Sequence, residues 1–290
     1  MPPIFSRLAR TLALPLALSA AGAASSSAQS SAPSAASDSA SEDLINADRP
    51  GIADGSRVIE PGQIQLEIAA QGERHTDANS RTTLSFAPTL LRIGTLHQLE
   101  LRIESNTFAH AHVVAHDGSV DNSSGLSPVL FGFKLALYDS RDDDRISVGT
   151  ILRVAPPSGS NGFNTSHPIG DLRLAADWDF APKLSLNPNV GVARYEGSDG
   201  MLFTTALGAL TLTYQPSPRL SPFVDFGYQS REDTEGTWTM IADAGVGYVI
   251  GRNVQLDVSA GTGAHGDTTP RPFIAVGISV RASPFQHRSR

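Results

Sequence analysis

Residues 90–105 read LLRIGTLHQLELRIES and predict two strands joined by a tight connection at residues 94–97. In the second strand, Leu99, Leu101 and Ile103 alternate with charged or polar neighbours. Successive side chains of a strand point to opposite faces, so this hairpin has one apolar face and one charged face. A soluble protein would bury the apolar face in a core, whereas an outer-membrane barrel would turn it to lipid. The recurrence of the unit and its connections decide between the two.

The same alternation recurs along the rest of the chain, and no amphipathic helical pattern of similar quality interrupts it. Twelve segments have it: 64–70, 82–93, 98–107, 129–138, 145–154, 171–180, 184–192, 201–214, 220–229, 239–250, 253–260 and 272–281. Most are close to the roughly 9–11 residues that cross a bilayer at a tilt. We therefore predict an all-β fold, an antiparallel up-and-down transmembrane β-barrel of about 12 strands over residues 63–282.

The lengths of the connections alternate. Short links at 94–97, 139–144, 181–183, 215–219 and 251–253 alternate with long polar ones, such as 108–125, 155–170, 230–236 and 261–271. Outer-membrane barrels have short periplasmic turns and long external loops, whereas a soluble sandwich has no reason to sort its loops in this way. This alternation favours the membrane barrel.

Charged side chains recur in mid-strand on the less apolar face. A basic residue on the lipid face would cost roughly 2–4 kcal/mol near the bilayer midplane. In a wet lumen the same charges cost little and can pair across strands. We predict that the lumen is lined by Glu67, Arg92, Glu100, Arg102, Glu104, Lys134, Arg153, Arg173, Asp177, Asp225, Asp243 and Asp257.

The N-terminus indicates export. Arg7 and Arg10 precede an apolar run at 12–24 and then small residues, which predicts a signal peptide over 1–28 and a final location in the cell outer membrane. A Ser/Ala-rich linker follows at 29–43, and a basic tail ends the chain at 283–290. Residues 44–62, here called the leading segment, contain two Pro-Gly pairs and are predicted to lie at the periplasmic mouth. We hypothesise that this segment folds into or under a lumen narrow enough to need a plug or a gate.

Composition excludes several kinds of chemistry. The chain has no cysteine, which excludes disulfide scaffolds, thiol catalysis and thiolate metal sites. Its net charge of −7 without a basic block argues against a nucleic-acid partner. No cofactor is expected.

Two groups of residues could carry chemistry, and neither pattern is strong. His110, His112 and His116 are weak candidates for a metal site, since three imidazoles could bind zinc or copper, but no acid lies among them. Ser166 and His167 are adjacent, and adjacent residues of an extended segment point apart, which argues against a hydrolase dyad. An enzyme is therefore not predicted.

Several short motifs resemble outer-membrane proteins of the phenol meta-pathway type, a transporter family. They are DRPGIADG at 48–55, QLE at 65–67, LLRIGTLHQLELR at 90–102, the Gly-x-Lys of 132–134, VQLDVSAGTG at 254–263 and VGISVR at 276–281. The resemblance covers nearly all of the chain after the linker. It implies a barrel of about a dozen strands that moves small molecules, aromatic or hydrophobic ones included, across the outer membrane. The expected partners are outer-membrane lipid, a small solute and the barrel assembly machinery. The alternatives left open are a barrel enzyme and a soluble periplasmic β-sandwich that binds a partner.

Overall fold

A computed structural model describes residues 43–76, 80–139, 145–266 and 272–284. Over these ranges the chain is all-β, and none of its segments is a helix long and apolar enough to cross a membrane. The strands are β1 (Ile64–Thr76), β2 (Ser80–Phe86), β3 (Thr89–Leu96), β4 (Leu99–Ser105), β5 (Phe108–Ala115), β6 (Val120–Leu126), β7 (Leu130–Tyr138), β8 (Ile146–Ala155), β9 (Ile169–Ala181), β10 (Leu184–Glu196), β11 (Leu202–Tyr214), β12 (Leu220–Gln229), β13 (Thr239–Ile250), β14 (Val254–His265) and β15 (Phe273–Ala282). The predicted signal peptide, the linker up to residue 42, residues 285–290 of the tail and most of the 139–144 link lie outside the described residues.

Pairing of the first strand with the last closes the sheet. β1 and β15 run antiparallel from Ile64↔Ala282 to Glu73↔Phe273. The closed ring contains twelve strands, in the order β15 down to β7, then β4, β3 and β1. Closure removes the unpaired edges that a sheet otherwise exposes. The predicted barrel of about 12 strands is confirmed.

The two faces of the wall have opposite polarity. On β14, Leu256 and Val258 point outward and are 42% and 40% exposed, whereas Gln255 and Asp257 are buried inside. A soluble sandwich requires the reverse arrangement, because its apolar face must leave water. The closed ring with an apolar outer surface is the architecture of outer-membrane proteins, and the sandwich alternative is wrong.

Beyond the ring, at the end with long loops, β2, β5 and β6 continue the wall. The prediction of one strand over 82–93 is corrected here, because Ala87 and Pro88 separate β2 from β3. The prediction of a loop at 108–125 is wrong, since these residues form the β5–β6 hairpin, which pairs with β2. In this extension the apolar face points inward, and Leu84, Phe86, Ala109 and Ala111 pack with Phe163. That is the polarity of a sheet in water, so the extension lies outside the bilayer.

Candidate functional site

The leading segment lies inside the barrel. Both of its ends are at the end with short turns. The Ile45 N–H donates to the Arg252 carbonyl at 2.8 Å, and the Gly62 N–H donates to the Gly94 carbonyl at 3.0 Å. Between these anchors the chain enters the lumen and turns back. The Gly55 N–H donates to Asp48 Oδ1 at 3.3 Å, which closes residues 48–55 into a compact loop. Because short turns of such barrels face the periplasm, the segment fills the periplasmic end.

Asp48 is the centre of one buried ion-pair cluster. Its carboxylate is 2.8 Å from Lys134 Nζ, 2.5 Å from Arg102 Nη1 and 3.5 Å from Arg92 Nη1. Its own N–H donates to Glu67 Oε1 at 3.2 Å. Burial alone would raise the pKa of Asp48, but the three cations outweigh it and hold that pKa well below its usual value of 3.8. Asp48 is therefore an anion that forms ion pairs with cations on three strands of the wall, β3, β4 and β7.

Asp54 is the centre of a second cluster on neighbouring strands. Its carboxylate lies 3.1 Å from Arg153 Nη2, 3.2 Å from Arg102 Nη2 and 3.4 Å from Arg173 Nη1. Asn189 holds the backbone on both sides, accepting from the Asp54 N–H and donating to the Asp54 carbonyl, each at 2.9 Å. Burial would raise the pKa of Asp54, yet the guanidinium groups lower it to about 2.

The remaining contacts spread around the ring. The Ser56 N–H donates to Asp177 Oδ2 at 2.8 Å, and the Ser56 hydroxyl is 2.8 Å from that of Ser147. Three further hydrogen bonds reach other parts of the wall. The Ile52 N–H donates to Asp225 at 2.8 Å, Arg49 Nη2 donates to Asp257 at 3.0 Å, and the Ile59 N–H donates to Glu100 at 3.0 Å. The segment is thus tied to almost every part of the wall by polar contacts.

The structure places all the side chains predicted to line the lumen on the inward face of the barrel. Glu104 and Asp177 are half-buried, and the other ten are buried. These ten are Glu67, Arg92, Glu100, Arg102, Lys134, Arg153, Arg173, Asp225, Asp243 and Asp257. The leading segment covers most of them and supplies partners for several, so they are less exposed than an open lumen would leave them. Sequence reasoning missed those partners, Asp48 and Asp54, although both stand in the DRPGIADG motif.

A cavity of about 350 Å³ lies inside the barrel, with the leading segment forming part of its lining. Asp54, Arg102 and Arg153 form its polar floor. Its sides carry apolar groups from several strands and from the 156–168 loop, namely Phe86, Leu90, Leu130, Phe163, Ile169, Tyr195 and Phe273. A chamber with apolar sides and a few polar groups suits small amphipathic molecules.

Residues 47–282 match the protein family described as "Putative MetA-pathway of phenol degradation". The chain belongs to this family. The match includes the DRPGIADG motif, which supplies both carboxylates at the centres of the ion-pair clusters. The family resemblance predicted from the short motifs is confirmed.

Three solved structures that align with this chain are described as a channel, a porin and a second channel. An outer membrane channel from Pseudomonas putida F1 aligns with a TM-score of 0.62 and 12% identity, over 80% of this chain and 99% of that one. The NanC porin aligns with a TM-score of 0.47 and 10% identity, over 74% of this chain and 98% of that one. The CymD monoaromatic hydrocarbon channel aligns with a TM-score of 0.42 and 10% identity, over 79% of this chain and 90% of that one. The channel from Pseudomonas putida F1 shares its fold with this chain. A search of curated proteins found no match.

The weak metal candidates lie outside the lumen. His110 and His112 share the outer face of β5, and their Nδ1 atoms are 2.8 Å from Ser124 Oγ and Asn122 Oδ1 respectively. His116 is in the turn after β5. Among the residues that the structure describes, no group of three histidines or acids is placed to hold a metal ion.

The Ser166–His167 pair is part of a loop attachment. The N–H groups of both residues donate to Glu196 Oε2, at 2.7 and 2.8 Å, and His167 Nδ1 is 3.2 Å from the same oxygen. These contacts hold the 156–168 loop against the end of β10, and the pair is exposed.

Proposed function

We propose that this protein is an outer-membrane channel for small, partly apolar molecules, and that the leading segment is its gate. The observation that carries the proposal is the cavity of about 350 Å³ in which the leading segment forms part of the lining. A solute entering from the side with long loops meets a chamber of its own size and then the segment. Passage to the periplasm requires the segment to move, because its contacts reach strands on all sides of the lumen.

A channel suits the side chains of the chamber better than an enzyme does. Several of its charged groups pair with the leading segment, as Arg153 does with Asp54, and others pair within the wall, as Arg153 does with Asp171. A hydrolase needs a nucleophile, a base within hydrogen-bond reach and a group that orients the base. Among the described residues that line the cavity there is no histidine, the most common catalytic base. The shared fold with a solved outer membrane channel also supports the proposal.

The route to the membrane belongs to the same proposal. Residues 1–28 would direct export and be removed, residues 29–43 would link the signal to the leading segment, and barrel assembly machinery would insert residues 63–282 among the outer-membrane lipids. The basic tail, 283–290, would then remain in the periplasm beside β15.

A reversible covalent lock tests the gate directly. The chain contains no cysteine, and the hydroxyl oxygens of Ser56 and Ser147 are 2.8 Å apart. The double variant S56C/S147C places two thiols where a disulfide can join the segment to β8. We expect the reduced variant to conduct ions and to swell liposomes in a small sugar, and the oxidised variant to do neither.

The matched control is S56C alone, which should behave alike under oxidant and reductant. Addition of reductant to the locked double variant should restore the flux. Equal flux through the locked and unlocked forms would contradict the proposal, since the solute would then pass without movement of the segment.

A further inference from the structure

The outer face of the extension, with the end of β1 that pairs with it, is basic. The alternate, outward-facing residues of 72–76, 81–85, 108–114 and 120–126 include two arginines and two histidines, and none of them is an acid. The described acids of these strands, Glu73 and Asp121, lie on the inward face, and Asp117 is in the turn at the tip. The whole chain has 29 acids against 22 lysines and arginines, so a face whose only charges are basic departs from the rest.

The strand register gathers three of these basic side chains around Thr83. Arg74 is opposite Thr83 in the pairing of β1 with β2, and His112 is opposite it in the pairing of β2 with β5. Arg81 lies two residues before Thr83 and points to the same side. Paired strands are about 4.8 Å apart and alternate residues of a strand about 7 Å, so all three basic groups can reach one anion over the Thr83 hydroxyl. These four residues are here called the Thr83 cluster.

The basic groups of the Thr83 cluster have no partner within the described protein other than Asn122. Both arginines are exposed, and neither forms an ion pair with a residue that the structure describes. Inside the barrel, by contrast, Arg102 contacts four carboxylates. His112 contacts Asn122 Oδ1 through Nδ1 at 2.8 Å, and its Nε2 atom is not used. A guanidinium group presents its donors in a fork that fits a phosphate group, so a phosphate is the complementary ligand.

The Thr83 cluster lies just beyond the lipid-facing wall. On β15 the outward side chains are apolar up to Ile274, which is 55% exposed and is opposite Gly72 of β1. Arg74 is two residues further from the membrane, about 7 Å along the strand. The headgroup layer is roughly 5–7 Å deep on each side of the hydrocarbon core, which brings the Arg74 guanidinium to the depth of lipid phosphates. This continuity with the lipid-facing wall favours a lipid headgroup over a soluble anion.

We propose that the Thr83 cluster binds the phosphate group of a membrane lipid in the leaflet on the side of the long loops, which is the external one. The guanidinium groups of Arg74 and Arg81 donate to the phosphate oxygens, and the Thr83 hydroxyl and His112 are further donors. This contact fixes the extension against the membrane surface. The cluster faces away from the lumen, so the inference goes beyond the channel function and does not depend on it.

Native mass spectrometry of the full chain in detergent measures this binding without requiring transport. The probe is lipid A, a glycolipid with two phosphate groups, titrated to give the fraction of protein that retains a lipid molecule. We expect R74Q/R81Q to weaken binding by about 30-fold, because each basic residue near a membrane surface strengthens the binding of anionic lipid. The matched control, R145Q/R231Q, removes two exposed arginines elsewhere and should bind like the native protein.

Two further ligands separate the sources of binding. Lipid A without its phosphate groups should bind the native protein at least about 10-fold more weakly. Inorganic phosphate at the same concentration should not displace lipid A, since it has no acyl chains to lie along the apolar wall. A heat-modifiability gel shows that the variant barrels fold. Equal binding by native protein and R74Q/R81Q, an equal loss in R145Q/R231Q, equal binding of the phosphate-free lipid, or displacement by inorganic phosphate would each overturn the proposal.

Discussion

Replacing Asp54 with Asn should loosen the leading segment, and the structure sets the size of the effect. The variant removes one carboxylate from three guanidinium groups, which lie 3.1, 3.2 and 3.4 Å away. Breaking a buried ion pair costs roughly 3–5 kcal/mol. Each guanidinium keeps a second carboxylate, as Arg173 keeps Asp171 at 2.8 Å, so the lower end, about 3 kcal/mol, applies. A change of that size raises the population of the undocked segment about 100-fold.

The assay follows the exposure of a buried position on the same segment. Ser56 is 1% exposed, and S56C is the only cysteine in an otherwise cysteine-free chain. A maleimide should label it only when the segment undocks, so labelling of D54N/S56C should be about 100-fold faster than labelling of S56C. The control D117N/S56C alters an exposed acid in the β5–β6 turn, and its labelling rate should not change. If D54N/S56C and D117N/S56C label at equal rates, the ion pairs do not hold the segment.

Three further outcomes follow from the same contacts. The pKa of Asp54 is lowered from 3.8 to about 2, so its contribution to docking is fully present above pH 3.8 and is lost as the pH falls through about 2. Conductance in planar bilayers should therefore rise within that pH window. Gly94→Ala should undock the segment, because the new methyl group meets the backbone of residues 59 and 60, whereas Gly72→Ala meets nothing within 4 Å; limited proteolysis at residues 44–62 should cleave the first variant and spare the second. Val258→Arg should lower the free energy of unfolding in lipid by roughly 2–4 kcal/mol, whereas Leu126→Arg, on the extension outside the bilayer, should change it little; urea titration in liposomes measures both.

The barrel wall could be predicted from the sequence because its signal is local. A period of two in polarity needs only neighbouring residues, as in Leu256 and Val258 against Gln255 and Asp257. The alternation of short and long links then indicated an outer-membrane barrel. The pairing of β1 with β15 also follows, since an even number of antiparallel strands brings the ends together.

The leading segment could not be placed in the same way, because its partners are distant in sequence. Asp54 contacts Arg153, 99 positions away, and Arg49 contacts Asp257, 208 positions away. The acidic residues of the 48–55 motif gave only a weak indication of where the segment lies. The wall offers many buried cations, so an acidic motif just before the first strand is the natural counter-charge.

The β5–β6 hairpin was missed for a different reason. Within the membrane, the apolar face of a strand points outward, and a strand with small residues inward and histidines outward does not fit that rule. Ala109, Ala111 and Val113 are buried on the inner face of β5, while His110 and His112 meet water. The inversion of polarity between β4 and β5, across residues 106–107, marks where lipid gives way to water. A single rule of polarity therefore cannot be applied along a strand that leaves the bilayer.

Ion pairs dock the segment alongside a small apolar contact of Ile52 and Ala53 with Ala209, and the ion pairs have a consequence for gating. If an apolar plug left the lumen, apolar surface would become exposed to water, and the free-energy cost of that exposure would favour the docked state. Here the wall keeps its own cross-strand partners, with Arg92 2.8 Å from Glu100 and Arg102 2.7 Å from Glu104. When the segment leaves, water can solvate the remaining polar groups, and the wall cations that paired with Asp48 and Asp54 each keep a carboxylate of the wall within 4 Å. Docking by charge is therefore strong in the closed barrel and still reversible, which is what a gate requires.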